Sequence, residues 1–130
     1  MIQKYIYILL IGLLLTNCST KQYQMIDDGV VVNIKQKNQT DTRKVRLQVL
    51  RDELIHITAT PDKEFPKDST LIIVPGIKNT PFTVDNSHKD SIMLVTSRLK
   101  VIVSKLDGGV NFKDKDGKLI LAEKKGGGKT

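Results

Sequence analysis

The sequence closes on Lys125-Gly126-Gly127-Gly128-Lys129-Thr130, and glycines followed by Lys-Thr are the residue types that cradle a phosphate. A phosphate loop also needs a glycine five positions before the last one, a strand before it and a helix N-terminus facing the anion. Glu123 stands where that first glycine belongs. Leu119 to Ala122 could supply the strand, but no helix-forming residues follow Thr130. The ending therefore reads as a loop and not as a nucleotide site. His56 and His88 lie far apart, and neither has a partner at metal-ligand spacing, whereas zinc needs three or four converging donors. Ser, His and Asp are all present, yet no Gly-x-Ser-x-Gly elbow presents a serine. Paired carboxylates could hydrolyse glycosidic bonds if held about 5 to 10 Å apart. Asp27-Asp28, Asp52-Glu53, Asp62/Glu64 and Asp114/Asp116 all fall in polar or turn-forming stretches, where carboxylates serve solubility and Asx-turn geometry. No catalytic, cofactor or metal residue is assigned on these grounds.

The single cysteine, Cys18, carries a different chemistry. Lys4 supplies a positive charge, Tyr5 to Leu15 form an apolar run, and Leu15-Thr16-Asn17-Cys18 follows at once. That is the layout of an export signal. The run is shorter than the roughly 20 residues needed to cross about 30 Å of hydrocarbon. No Ala-x-Ala site precedes Cys18, and the tetrapeptide instead resembles a bacterial lipobox, with Asn17 at the place usually held by Gly or Ala. A lone cysteine forms no intrachain disulfide, and lipidation gives it a use. Stable anchoring takes more than one acyl chain, and a diacylglyceryl thioether with an N-acyl group, implied by the lipoprotein resemblance, provides that. The expected layout is a cleaved helical signal peptide over 1–17, a polar tether over 18–28 and one domain over 29–130. The expected location is a bacterial cell envelope, with the protein held to the membrane by its lipid.

The positions that must hold any such function are organised by period two. Val45, Leu47 and Val49 alternate with Lys44, Arg46 and Gln48; Ile55, Ile57 and Ala59 with Leu54, His56 and Thr58; Leu99, Val101 and Val103 with Lys100, Ile102 and Ser104. Residues two apart share a sheet face, so each run has one side for a core. Val30 to Ile34, Leu71 to Val74, Ser91 to Thr96, Val110 to Phe112 and Leu119 to Ala122 complete the predicted strands. Leu50-Arg51-Asp52-Glu53, Asp107-Gly108-Gly109 and Lys113 to Gly117 are hairpin connections, which imply antiparallel pairing. All four prolines, Pro61, Pro66, Pro75 and Pro81, fall between runs, where a missing N–H breaks no ladder. The stretch from Pro61 to Pro81 is the least regular and is expected to wrap an edge or end. The class is all-β, an antiparallel sandwich of about eight or nine strands, because two sheets must cover each other's apolar faces.

Composition sets further limits. The 130 residues make one domain with 39% apolar and 27% charged side chains, and with six Phe and Tyr and no Trp its core must be aliphatic. The net charge is +7, or +6 once Lys4 is removed with the signal. Lys44, Arg46, Arg98 and Lys100 alternate with apolar residues instead of forming a block interleaved with aromatics. They read as a solvated strand face and not as a nucleic-acid surface.

Two stretches, VRLQVLRDELIHITATPDKEF (Val45 to Phe65) and LKVIVSKLDGGVNFKDKDGKLILAE (Leu99 to Glu123), resemble the opening sandwich of glycoside hydrolase family 31, particularly α-xylosidase-like lipoproteins of Bacteroidetes. Val45, Arg46, Val49, Asp52, Ile55 and Pro61 fit the first family pattern, with His56 where the family often has Arg. Leu99, Val101, Val103, Gly108, Val110, Phe112, Asp114, Gly117 and Ile120 fit the second. The resemblance implies a galactose-mutarotase-like domain ahead of a (β/α)₈ barrel that supplies both catalytic aspartates. It implies no cofactor and no catalytic residue within this chain. The partners it implies are that barrel, oligosaccharide bound through the barrel, and the membrane. The glycine-rich ending then reads as a loop leading to further strands, the chain as an N-terminal fragment, and its strand edges as exposed. Two other functions fit the residues. One is a complete small envelope lipoprotein that binds a protein or glycan. The other is a carbohydrate-binding module, which the shortage of stacking aromatics disfavours.

Overall fold

The structure, a computed structural model, describes residues 21–67 and 80–124. Nine strands run in order: β1 Tyr23–Ile26, β2 Gly29–Asn33, β3 Lys44–Arg51, β4 Leu54–Thr60, β5 Thr83–Asp85, β6 Ser91–Val95, β7 Leu99–Ser104, β8 Val110–Asp114 and β9 Leu119–Ala122. β1 to β4 form one sheet in sequence order, and β5 to β9 form the other. Every pairing is antiparallel, and no helix occurs among the described residues. The fold is the expected β-sandwich. Predicted strand Leu71–Val74, the signal segment, Cys18 and the glycine-rich ending lie outside the described residues.

The registers explain the core. Val30, Leu47 and Ile57 align across the first sheet, as do Val32, Val45 and Ala59. In the second, Leu94, Val101 and Phe112 align, and Ile92, Val103 and Val110. These rows point inward and meet as one cluster. Its fully buried members are Leu, Ile and Val, while Tyr23, Phe82 and Phe112 pack at its margin. The core is thus aliphatic, as composition requires. Truncating Leu47, which is wholly buried at its centre, should cost about 3 kcal/mol through lost transfer energy and the cavity left behind.

Glycine acts at specific places. Gly108 and Gly117 take φ of 73° and 88° in the β7–β8 and β8–β9 turns. These are left-handed conformations that other residues adopt only with strain. Gly29 is buried for a different reason: β2 passes so close to β3 that a Cβ there would collide with the Leu47 carbonyl.

The structure departs from the sequence pattern at three places. Within the stretch over 18–28 expected to be a polar tether, Tyr23–Ile26 is a strand whose Tyr23 aligns with Val32 and packs on the core. Its exposure runs half-buried, exposed, exposed, half-buried, so no two-residue period marks it. β5 has no signature in the sequence, because three residues are too few to show alternation. Finally, Arg46 does not lie on a solvated face. The segment after β4 folds back so that the Arg46 guanidinium carbon sits 4.5 Å from the Phe65 ring centroid. Arg46 Nε and Thr58 Oγ1, cross-strand neighbours, are shielded there and find no partner among the described residues.

Candidate functional site

The predicted carboxylate pairs are distributed over turns and are not gathered. Asp27 and Asp28 form the β1–β2 turn, and Asp52 and Glu53 the β3–β4 turn. Asp114 Oδ1 accepts from the Asp116 and Lys118 amides at 3.0 and 2.9 Å, closing the β8–β9 turn as an Asx motif. Asp41 Oδ2 does the same for the Lys37 and Asn38 amides, at 3.2 and 2.9 Å. Asp62 and Glu64 are exposed in the segment after β4. A carboxylate occupied in closing its own turn is poorly placed for acid–base work on a ligand.

The histidines also separate. His56 lies on the outer face of β4, where Nδ1 is 3.3 Å from Gln48 Oε1, and Gln48 Nε2 donates to Asp28 Oδ2 at 3.0 Å. A Gln48 carbonyl oxygen is an acceptor only, so it holds the proton on His56 Nδ1. His88 is exposed in the β5–β6 turn beside Ser87 and Asp85. These three are triad residue types, but their bonding is wrong for a triad. The Ser87 hydroxyl and amide both serve Asp85, with the amide at 2.8 Å, and no histidine takes the serine proton. Those two bonds, with the His88 charge nearby, hold the Asp85 carboxyl below its ordinary value. Among the described residues, no group of three or more His, Cys, Asp or Glu converges as a metal site.

Two polar clamps, which no sequence motif announced, join the sheets at opposite ends. Lys105 is 8% exposed, just past the C-terminal end of β7. Its Nζ donates to Gln22 Oε1 and Asn86 Oδ1, each at 2.8 Å, and to the His88 and Lys89 carbonyls at 3.4 and 3.3 Å. Four neutral oxygens thus surround a buried ammonium and satisfy its donors. Thr96 follows β6, which runs antiparallel to β7, and so closes the other end. Its hydroxyl donates to the Asp52 carbonyl at 2.6 Å and accepts from the Leu99 amide at 3.0 Å. These clamps tie the two sheets together.

No family model matches the sequence. The structure is similar to the crystal structure of a GH31 α-xylosidase from Xanthomonas citri, with a TM-score of 0.70 and 36% identity. The match covers 80% of this chain and 11% of that protein, so the chain spans about a ninth of its length. It is also similar in fold to an uncharacterised protein of Listeria monocytogenes solved with α-D-glucose, β-D-glucose, magnesium and calcium. There the TM-score is 0.61 and the identity 16%, over 82% of this chain and 9% of that one. The sandwich fold and the 36% identity across 80% of this chain support its reading as an N-terminal β-sandwich domain of glycoside hydrolase family 31.

Proposed function

We propose that the chain is the non-catalytic N-terminal module of a membrane-tethered α-glycoside hydrolase that acts on xylose- or glucose-containing oligosaccharides. The observation that carries this reading is the likeness to the Xanthomonas α-xylosidase at 36% identity across 80% of the chain. In this reading a (β/α)₈ barrel elsewhere in the same polypeptide supplies the chemistry, and the sandwich supports it. The dispersal of carboxylates into turns and of histidines onto separate surfaces favours a supporting role. Cys18, after Leu15-Thr16-Asn17, anchors the module in a bacterial cell envelope through its lipid.

Purified residues 18–130 should release no product from an aryl α-xyloside, while the polypeptide carrying both module and barrel should do so. Turnover by the module alone would refute the reading. Cys18→Ser should move the protein from the membrane to the soluble fraction and abolish incorporation of labelled palmitate.

A further inference from the structure

Asn33 fixes the place where the chain enters the sandwich. Its side-chain amide donates to the Lys21 carbonyl and its backbone amide to the Gln22 carbonyl, each at 2.9 Å. The Lys105 ammonium donates to the Gln22 side-chain oxygen at 2.8 Å. The chain is therefore held to the fold from Lys21 onward, two residues before β1 begins. Only Ser19 and Thr20 lie between Lys21 and Cys18. Those three peptide steps reach at most about 11 Å, whatever their conformation. The opposite end of the sandwich is about 25 Å away, the length of the eight-residue β3. A lipid on Cys18 thus reaches one end of the sandwich and not the other.

That end is built from the β2–β3 connection over 34–43, the β5–β6 turn over 86–90 and the β7–β8 turn over 105–109. The three are in contact: Gly108 lies against Ile34 and Thr42, and Lys105 Nζ reaches Asn86 and the His88 carbonyl. On the last of these turns Leu106 is 61% exposed, more than any other large apolar side chain among the described residues. The same end exposes Lys21, Lys35, Lys37 and Lys89. Charge follows the same axis. The three connections hold five cations and three carboxylates, whereas those at the other end, 27–28, 52–53, 96–98 and 115–118, hold three cations and five carboxylates. An exposed leucine among lysines suits the boundary between acyl chains and negatively charged headgroups. Lying on the β1 edge instead would bring Asp27 to that surface.

We propose that a negatively charged lipid surface is the partner of this end. The module stands on the bilayer with Leu106 at the headgroup–acyl boundary and the lysines against lipid phosphates, while the β3–β4 and β6–β7 turns point away. The bonds that pin Lys21 and Gln22 set this orientation by leaving the anchor so little reach. The inference rests on the proposal that Cys18 carries the lipid.

The complete lipidated polypeptide tests the seat, in phosphatidylcholine vesicles that contain phosphatidylglycerol and a lipid spin-labelled near its headgroup. Lipidation blocks the Cys18 thiol, so a fluorophore is attached at one introduced cysteine after any cysteine outside this chain is replaced by serine. The spin label should quench the fluorophore at Leu106→Cys several-fold more than at Leu54→Cys, a half-exposed leucine that opens β4 at the other end. A flexible insert of about ten residues between Thr20 and Lys21 adds roughly 17 Å of reach and should bring the two values together. Equal quenching at both ends without the insert would overturn the inference, as would stronger quenching at Met25→Cys on β1 or indifference to the insert. Incorporation of labelled palmitate is measured separately on the parent polypeptide. A parent that takes up no palmitate sinks the lipoprotein reading and the seat with it, whereas palmitate without the difference in quenching sinks the seat alone.

Discussion

Lys105 and Gln22, 83 positions apart, meet through a 2.8 Å hydrogen bond from the ammonium to the side-chain carbonyl. The bond joins the lead-in to β1 to the β7–β8 turn, while Asn86 and two carbonyls of the β5–β6 turn complete the ammonium's shell. One cation therefore organises three chain segments from both sheets.

Lys105→Met should destabilise the domain by about 2–3 kcal/mol, because the charge-assisted hydrogen bonds of the ammonium to Gln22 and Asn86 are lost. Lys105→Arg should recover little, since a planar fork cannot replace a compact ammonium among four converging oxygens. Urea unfolding followed by circular dichroism measures both.

At the opposite end, Thr96→Val keeps the shape but loses the hydroxyl that bonds the Asp52 carbonyl and accepts the Leu99 amide. A loss of about 1–2 kcal/mol is expected for these part-buried hydrogen bonds, with Thr96→Ser retaining most of the stability. Equal unfolding midpoints for Thr96→Val and the parent would show that the clamp contributes nothing.

Gly29→Ala and Gly117→Ala separate two uses of glycine. The first forces a methyl into the Leu47 backbone and should cost well over 3 kcal/mol or prevent folding. The second meets no atom within 4 Å but keeps a φ of 88°, so about 1 kcal/mol is expected from backbone strain alone. The ranking of their thermal midpoints is the readout.

Asp85 should ionise below the ordinary aspartate value of 3.8, chiefly through the Ser87 hydroxyl and then the Ser87 amide. A depressed folded-state value means the stabilisation is present above about 3.8 and is lost as pH falls through the folded value. Ser87→Ala should raise the Asp85 value in an NMR titration of its carboxyl carbon, and Asp85→Asn should flatten the acid limb of stability.

Much of the architecture is legible in the amino-acid order, because alternation along a strand is a local property. Val45, Leu47 and Val49 must share one side of any strand they form, and Asp116-Gly117 favours a tight turn whatever surrounds it. The all-β class, the antiparallel hairpins, the aliphatic interior and the outward placement of His56 follow from such local rules. The family likeness lay in the same strand and turn patterns.

Other features depend on residues that sequence distance keeps apart. β1 and β5 are strands because longer neighbours supply their hydrogen-bonding partners, and neither carries a sufficient pattern of its own. Lys44 and Arg46 have the same place in their strand's alternation, yet only Arg46 lies beneath Phe65, since that depends on where the chain turns after β4. The Lys105 clamp has the same origin. Local order determines which way a side chain faces, but its burial, pairing or exposure is decided by what the folded chain brings opposite it.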